Sequence, residues 1–481
     1  MLLAPKKEVA DIQLSIRSIQ SSKAGNYGPD FKQMLNEGNT TPWSPTTAKR
    51  GRINLSIAEN RLNFLPLQAK LAEHSIDTCT VEISQYGPAA GLPRLRSALA
   101  KHLSHLLGGV KESLDSQEEQ TEQKPCYTVN PNHLVMTEGV TSAIDALAFT
   151  LSNPNDAWLT PVPFYVSYRR DLKTRSGVDI WPVRRQNSDA PLESMPSIAD
   201  FEAAWNQCQR KNKKVTAVLL CNPHNPTGCF YSEDELITTL SWCDEKNVHV
   251  VVDEIFAATI YGKDEKKTFT SVLSLAPSLG PRITVLWGCA KEFGLGGWHL
   301  GCILSESDRL REALTRIINI SGIPSSPIQN QLAGVLEDRT FIHEYSRINK
   351  EILAECSREV VTECRRLNFS FIKPLAGLFV LVDLSRLMKE STYANERALF
   401  RHIFYECNVV MTPGEGSMAP PGMFRCCFAC APKGAVVEAF KRIEKLTKED
   451  ITMTQEDIDG ADAMERRLDF FFGDGSSETK M

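Results

Sequence analysis

The sequence predicts an α/β protein with a three-layer αβα large domain, built on a mostly parallel sheet, and a second, smaller α/β domain. Two observations predict this fold class. Between residues 133 and 294, short runs rich in Val, Ile and Leu alternate with helical stretches, which is typical of strands covered on both faces. Beyond about residue 331, a long helical stretch is followed by two further apolar runs, which indicates a separate unit.

The elements of the large domain follow one another in regular order. Residues 93–107 carry helical apolar spacing, and 140–152 form the helix expected after the first strand. A third helix, 232–247, begins with Ser232 as N-cap and Glu235 three residues later, the spacing of a capping box. The expected strands, with the turns that follow them, are residues 133–139, 157–165, 215–228, 248–256 and 283–294.

The chain of 481 residues is long enough for two or three domains. We divide it into an N-terminal arm with part of the small domain (1–80), the large domain (81–330), the small C-terminal domain (331–450) and an acidic tail expected to be poorly ordered (451–481). The Gln- and Glu-rich residues 108–125 are expected to form a surface insertion.

Composition excludes several function classes. A net charge of -5 without a basic stripe argues against nucleic-acid binding. The N-terminus lacks a signal-peptide pattern and no segment is long enough to span a membrane, so we expect a cytoplasmic protein. The densest of the fourteen cysteines, Cys426, Cys427 and Cys430, lie in a run that alternates like a buried strand, so we expect no metal site.

Polar residues lie at the ends of the expected strands. Asn225, Asp253 and Lys291 follow three of them, and residues 139–141 begin a helix after a fourth. Each alone has an ordinary explanation as a cap or a turn. Together they suit pyridoxal phosphate (PLP), which needs a lysine for a Schiff base, a carboxylate for its ring nitrogen and a helix N-terminus for its phosphate.

Eight sequence blocks resemble one family. They are "INLSIAENRL", "QYGPAAGLPRLRSALA", "TEGVTSAIDAL", "PVPFYVSYRRDL", "CNPHNPTG", "VVDEIF", "AKEFGLGGWHLG" and "GMFRCCFA". In this order, over roughly residues 25 to 445, they resemble the fold-type I PLP-dependent aminotransferases of class I/II, in the branch of 1-aminocyclopropane-1-carboxylate synthase. The resemblance implies that the large domain binds PLP.

The resemblance also implies roles for the cofactor-binding residues. Lys291 matches the Schiff-base lysine that later moves the Cα proton, and Asp253 matches the partner of the ring nitrogen. Asn225 would bond the phenolic oxygen of the cofactor. Tyr165 would stack on its ring, with Phe164 as the competing choice. The backbone amides that would hold the phosphate belong to Gly139, Val140 and Thr141.

Three further residues are implied on the substrate side. Arg425 matches the arginine that binds the α-carboxylate, and Glu59 matches a glutamate near the substrate in the synthase branch. Tyr86 matches a tyrosine donated across a dimer interface, so a homodimer and a small amino-acid-type substrate are the implied partners.

The sequence departs from the family pattern around the phosphate. Two serines and an arginine are usual where Gly288, Ala290 and His299 stand, and a tyrosine is usual at Phe256. These changes remove two hydroxyls, a guanidinium and a phenolic donor. We therefore expect weaker cofactor binding, which a protonated His299 would partly restore.

The residues leave the reaction open. Aminotransferase or carbon–sulfur/γ-elimination lyase chemistry, as in secondary-metabolism members of the family, is the first expectation. Cyclopropane formation from S-adenosylmethionine is the alternative, and a catalytically silent member of the family is a third.

Overall fold

The computed structural model describes residues 34, 37–38, 42–74, 80–109, 127–187, 190–264 and 267–462. Most of the expected insertion at 108–125, and the tail from residue 463 onward, lie outside the described residues. The strands are β1 Ile53–Leu55, β2 Leu134–Thr137, β3 Ala157–Pro161, β4 Asp179–Val183, β5 Val215–Cys221, β6 His249–Asp253, β7 Ile283–Gly288, β8 Gly301–Ser305, β9 Ser370–Phe371, β10 Phe379–Asp383, β11 Val409–Pro413 and β12 Met423–Cys427.

The α-helices of the described residues alternate with these strands in the large domain and flank them in the small one. They are α1 Phe64–Glu73, α2 Val81–Ser84, α3 Pro93–Leu106, α4 Gly139–Leu151, α5 Tyr168–Lys173, α6 Ile198–Arg210, α7 Glu233–Glu245, α8 Cys289–Glu292, α9 Asp308–Ser321, α10 Ser326–Glu337, α11 Arg339–Arg366, α12 Tyr393–Tyr405 and α13 Ala435–Ile443.

The large sheet has seven strands in the order β2-β8-β7-β6-β5-β3-β4. Neighbours from β7 to β4 pair in parallel, and β8 is antiparallel to both β7 and β2. Only β8 therefore runs against the others in this sheet, which confirms the prediction of a mostly parallel sheet.

Both faces of the large sheet are covered. Along β5, Ala217 and Leu219 pack into one hydrophobic core, whereas Val218 and Leu220 pack into the other. Successive side chains of a strand point to opposite faces, so the two cores lie on opposite sides of the sheet. This arrangement confirms the three-layer αβα architecture.

Local helix signals act as expected at α7. Ser232 Oγ accepts from the Glu235 N–H, and Glu235 Oε2 accepts from the Ser232 N–H at 2.7 Å, which completes the capping box.

The long helical stretch after residue 328 is two helices rather than one. It breaks at Asp338, whose carboxylate accepts from the Phe341 N–H at 2.9 Å and so caps α11.

The small sheet combines one N-terminal strand with four C-terminal strands. Their order is β1-β11-β12-β10-β9. The N-terminal strand β1 pairs in parallel with β11, and Ile53 is in register with Val409. The other pairs are antiparallel. Part of the N-terminal segment thus lies in the small sheet, while the domain boundaries at 80, 330 and 450 stay a prediction.

The expectation of a poorly ordered tail from residue 451 is wrong for its first twelve residues. Residues 455–462 are helical, and Ile451 and Ala461 are buried. The Asp457 carboxylate pairs with Arg401 on α12 at 2.6 Å and accepts from the Thr454 N–H at 2.7 Å. Burial of the two apolar side chains and this ion pair hold the segment against the small domain.

Candidate active site

The candidate site lies beyond the carboxyl ends of β5, β6 and β7. Asp253 is the last residue of β6, Asn225 follows β5, and Lys291 lies in the single helical turn α8 directly after β7. Because these strands are neighbours and parallel, their carboxyl ends lie at one edge of the sheet. The fold thereby brings together three residues that the sequence predicted for one site.

The Lys291 side chain is half-buried, and its Nζ donates to the Ala58 carbonyl at 2.7 Å. Burial lowers the pKa of Lys291, and the positive charge of Arg425 lowers it further. The charges of Glu59 and Asp253 oppose these effects. A lysine with a lowered pKa has a larger neutral fraction near pH 7, and the neutral amine is the nucleophilic form.

Arg425, on β12, is a buried cation whose side chain is held by oxygen acceptors. Its guanidinium donates to Asn225 Oδ1 at 3.0 Å and to the Ser56 carbonyl at 2.9 Å. Its Nε has no hydrogen-bond partner among the described residues, and no carboxylate within them forms an ion pair with this side chain. A buried guanidinium in that state suits an incoming anion.

Asp253 is buried, and both of its carboxylate oxygens accept hydrogen bonds. Tyr168 Oη donates to Oδ2 at 2.6 Å, and the Ile255 N–H donates to Oδ1 at 3.2 Å. Burial raises the pKa of Asp253 to about 6, and the bond from Tyr168 acts in the opposite direction. Sequence reasoning missed Tyr168, although an aromatic residue three positions after Tyr165 suggests a shared helical face.

The start of α4 offers backbone donors. Gly139 has φ +76°, and Glu138, the N-cap residue, makes no side-chain cap bond to the first turn. The first residues of β8 lie close by, since a Cβ on Gly301 would come within 2.9 Å of the Gly139 carbonyl carbon. His299 is exposed and has φ +46°, and its Cα would lie 4.0 Å from a Cβ on Gly139. The first turn of α4 is thus free of side-chain caps and has His299 beside it.

Three departures from the family pattern have clear positions. A Cβ on Gly288 would lie 3.3 Å from Val140 Cγ2, so this residue borders the start of α4. Ala290 lies in the α8 turn directly before Lys291. Phe256 is buried, and its ring meets the Phe379 ring edge-on at 5.4 Å. Position 256 therefore presents an apolar ring and no phenolic donor.

The side chain of Tyr165, rather than that of Phe164, is accessible for stacking on a cofactor ring. Phe164 is buried in the core, and its N–H donates to the Ser417 carbonyl at 3.0 Å. Tyr165 is half-buried, and its ring contacts the edge of the Tyr168 ring with centroids 5.2 Å apart. Since Tyr168 bonds Asp253, this geometry favours Tyr165 as the stacking residue.

The two remaining predicted residues lie in different settings. Glu59 belongs to the segment whose carbonyls contact Arg425 and Lys291, and its carboxylate pairs with Arg61 at 2.6 Å near the surface. The Tyr86 side chain is fully exposed. The structure does not bring Tyr86 into the site of its own chain.

Cys427 lies next to the site, which the sequence pattern did not suggest. It is completely buried, and burial raises the pKa of its thiol while Arg425 and Lys291 act to lower it.

The described part of the chain contains no cluster of three or more His, Cys, Asp or Glu side chains suited to a metal ion. Among the same residues, no helix combines the length and the apolar character needed to cross a membrane.

Comparison with known proteins identifies the family. The sequence model of "Aminotransferase class I and II" matches residues 50–443. The chain belongs to the aminotransferase class I and II family. Enzymes of this family depend on PLP, so this family member is a PLP-dependent enzyme.

Curated relatives cover most of this aminotransferase-family chain. The 1-aminocyclopropane-1-carboxylate synthase 6 of Oryza sativa subsp. japonica is 28% identical over 93% of the chain and 81% of its own length. The 1-aminocyclopropane-1-carboxylate synthase 11 of Arabidopsis thaliana is 30% identical over 87% of the chain and 89% of its own length. A probable aminotransferase of Arabidopsis thaliana is 28% identical over 93% of the chain and 88% of its own length.

Solved structures share the fold of this family member. An aspartate aminotransferase from Thermus thermophilus with maleate gives a TM-score of 0.70 at 17% identity and covers 90% of the chain and all of its own. An archaeal alanine:glyoxylate aminotransferase gives a TM-score of 0.72 at 19% identity, covering 90% of the chain and 98% of its own. These neighbours establish fold type I.

The residues present fit PLP. The amine of Lys291 lies close enough to Asp253 for the two charges to interact, and the uncapped first turn of α4 offers N–H groups to an anion. Arg425 Nε remains without a partner among the described residues, which leaves a donor for a second anionic group. This donor set matches an aldehyde cofactor with a phosphate and a carboxylate-bearing substrate.

Proposed function

We propose that this enzyme acts on an α-amino-acid-type substrate, by aminotransferase or carbon–sulfur/γ-elimination lyase chemistry. One observation carries the proposal. Two basic side chains, the half-buried Lys291 and the buried Arg425, share a site, and within the described residues neither forms an ion pair with a carboxylate. Such a site calls for a ligand that supplies both an anionic group and a carbonyl or amine function.

Arg425 would bind the substrate α-carboxylate. Asn225 Oδ1 and the Ser56 carbonyl already fix its guanidinium, so little side-chain freedom remains to be lost on binding. A planar guanidinium can donate two parallel hydrogen bonds to a carboxylate. This grip would orient the substrate so that its Cα faces Lys291.

Lys291 would hold the cofactor and then move the proton at Cα. When bound, PLP withdraws electrons from Cα, which acidifies that proton. A neutral Lys291 amine can accept the proton, and its lowered pKa favours that form. Asp253 would keep the ring nitrogen protonated, and Asn225 would bond the phenolic oxygen.

A second candidate is the formation of 1-aminocyclopropane-1-carboxylate from S-adenosylmethionine. It is favoured by the synthases among the relatives at 28–30% identity and by Glu59, whose charge acts on Lys291. Glu59 is already paired with Arg61, so a cationic substrate would have to compete for this carboxylate.

Product analysis tests these candidates. The purified enzyme with PLP is incubated with S-adenosylmethionine, or with a panel of amino acids plus a keto acid, and products are identified by mass spectrometry. New amino and keto acids in the second incubation support transamination. Ammonia and a thiol from a sulfur amino acid support the lyase, and the cyclopropane amino acid supports the alternative. Protein that never acquires visible absorbance on adding PLP would indicate a silent member of the family.

We also propose a homodimer, in the cytoplasm, in which Tyr86 serves the site of the other subunit. Leu65, Val81 and Tyr86 expose 77%, 70% and 107% of their side chains, an apolar surface suited to burial against a second copy. Equal mixtures of Lys291→Ala and Tyr86→Ala subunits, refolded together, are expected to regain roughly a quarter of wild-type activity, because half of randomly paired dimers are mixed and each has one intact site. A fully active monomer would contradict this arrangement.

His299 is expected to limit PLP affinity. His299→Arg should lower the PLP dissociation constant by about ten- to a hundred-fold, because a guanidinium adds a charge-assisted bond worth ~1.5–3 kcal/mol to the phosphate. Both residues carry a Cβ, and His adopts the left-handed backbone found at 299 more readily than Arg, which offsets a small part of the gain. Dissociation constants are measured by fluorescence titration with PLP.

The same titration examines whether His299 partly replaces the missing arginine. His299→Ala should weaken PLP binding, because the variant loses the imidazole of a residue that lies beside the first turn of α4. His343→Ala, at an exposed position on α11, is the control. Equal dissociation constants for wild type and His299→Ala would rule out a phosphate-binding role for this histidine.

A further inference from the structure

Tyr168 is the side-chain donor to the buried carboxylate of the site. Its Oη lies 2.6 Å from Asp253 Oδ2, and the two residues expose 1% and 4% of their surfaces. The other carboxylate oxygen accepts from a backbone N–H, that of Ile255. The orientation of the Asp253 carboxylate therefore depends on one phenol and one main-chain group.

Tyr168 also contacts Tyr165, the proposed ring-stacking residue. Its N–H donates to the Tyr165 carbonyl at 3.0 Å, which closes a turn at the start of α5. The two rings then meet edge-on, with an interplanar angle of 89°. A single buried side chain thus contacts both the proposed ring-stacking residue and the proposed partner of the ring nitrogen.

We propose that Tyr168 is a positioning residue that keeps Asp253 ionised and aimed at the cofactor ring nitrogen. The inference rests on the proposed role of Asp253 and deepens it. A hydrogen bond donated to a carboxylate stabilises its charged form, which burial otherwise disfavours. Without the phenol, the proton that lies between Asp253 and the cofactor ring nitrogen would move onto the carboxylate. The cofactor ring would then lose its positive charge.

Other titratable groups act on Asp253 as well. The ammonium of Lys291 favours its ionised form, whereas charges on Cys221 and Glu254 interact unfavourably with it. Burial raises the pKa of both Cys221 and Glu254, which keeps the first largely protonated near neutral pH. Tyr168 is a neutral donor, so its removal leaves the net charge unchanged, and its phenol also contacts the Cys221 side chain.

Tyr168→Phe removes only this oxygen. The variant is expected to bind PLP about ten- to a hundred-fold more weakly, the range for a hydrogen bond to a charged group. The pH at which the visible absorbance of the bound cofactor titrates is expected to rise, because an uncharged ring withdraws fewer electrons from the lysine-bound nitrogen. A residue with a merely structural role would not move this titration.

The experiment is a double-mutant cycle on the full-length protein. PLP dissociation constants and absorbance titrations are compared for wild type, Tyr168→Phe, Asp253→Asn and the double variant. If Tyr168 acts through Asp253, Tyr168→Phe should have little further effect in the Asp253→Asn background. Tyr393→Phe, which loses a buried phenol bonded to the Ala419 carbonyl at 2.9 Å in the small domain, is the matched control.

Two results would overturn the inference: an unchanged absorbance titration in Tyr168→Phe, or equal losses of PLP affinity in both backgrounds. Failure of the proposed function itself gives a different pattern. In that case Asp253→Asn alone would leave both the PLP dissociation constant and the absorbance titration at wild-type values.

Discussion

Lys291→Ala is expected to reduce turnover by at least about 10³-fold, within the range lost with a general acid–base group. The variant lacks both the amine that would bind the cofactor covalently and the base at Cα. The neighbouring side chains cannot replace it, because Asp253 is engaged with Tyr168, and the guanidinium of Arg425 offers donors but no acceptor.

Two measurements check the role of Lys291. Borohydride treatment of the wild type with PLP, followed by peptide mass spectrometry, should place the cofactor mass on the peptide containing residue 291. Lys373→Ala is the matched control, because the Lys373 amine also donates to a backbone carbonyl, that of Lys263 at 3.1 Å, but on the surface. Turnover of Lys291→Ala within tenfold of the control would contradict the assignment.

Arg425→Lys is expected to lower kcat/KM by about 10²-fold, corresponding to ~3 kcal/mol, the scale of breaking a buried charge pair. An ammonium keeps the charge but cannot donate in parallel to a carboxylate and still satisfy Asn225 and Ser56. The loss in kcat/KM should be confined to amino-acid substrates. An amine analogue without the carboxylate should bind to wild type and to Arg425→Lys equally well.

The control for this arginine is Arg386→Lys. Its guanidinium donates to the Leu367 and Asn368 carbonyls at 2.6 and 2.9 Å, so it makes a comparable set of bonds away from the site. If the two substitutions reduced kcat/KM to the same extent, or if the amine analogue lost affinity equally, Arg425 would have no special role in carboxylate binding.

The sequence predicted those parts of the molecule that depend on local pattern. Strands such as β5 and β6 were evident because both faces are buried and the runs are continuously apolar. The capping box at Ser232 needs only four residues. Asp253 and Lys291 were found because residues at or just beyond the ends of parallel strands meet at one edge.

Contacts between distant residues could not be predicted in this way. The bond from Tyr168 to Asp253 joins different elements, and the bond from Arg425 to the Ser56 carbonyl spans 369 residues. The order of residues 451–462 was not predicted, because the expectation relied on acidic composition and overlooked a helix-cap spacing. Thr454 and Asp457 have the spacing of a helix cap, and the Asp457 N–H donates to Thr454 Oγ1 at 3.3 Å.

The pairing of β1 with β11 has a consequence for how the chain matures. The strand β1 pairs with β11, and the Ser56 carbonyl that follows β1 reaches its partner Arg425 only once β12 exists. A ribosome-bound chain therefore cannot form the complete active site until synthesis is almost finished. Until then, β1 lacks its partner strand. Premature termination before residue 409 should yield protein that is prone to aggregation rather than a fragment with residual activity.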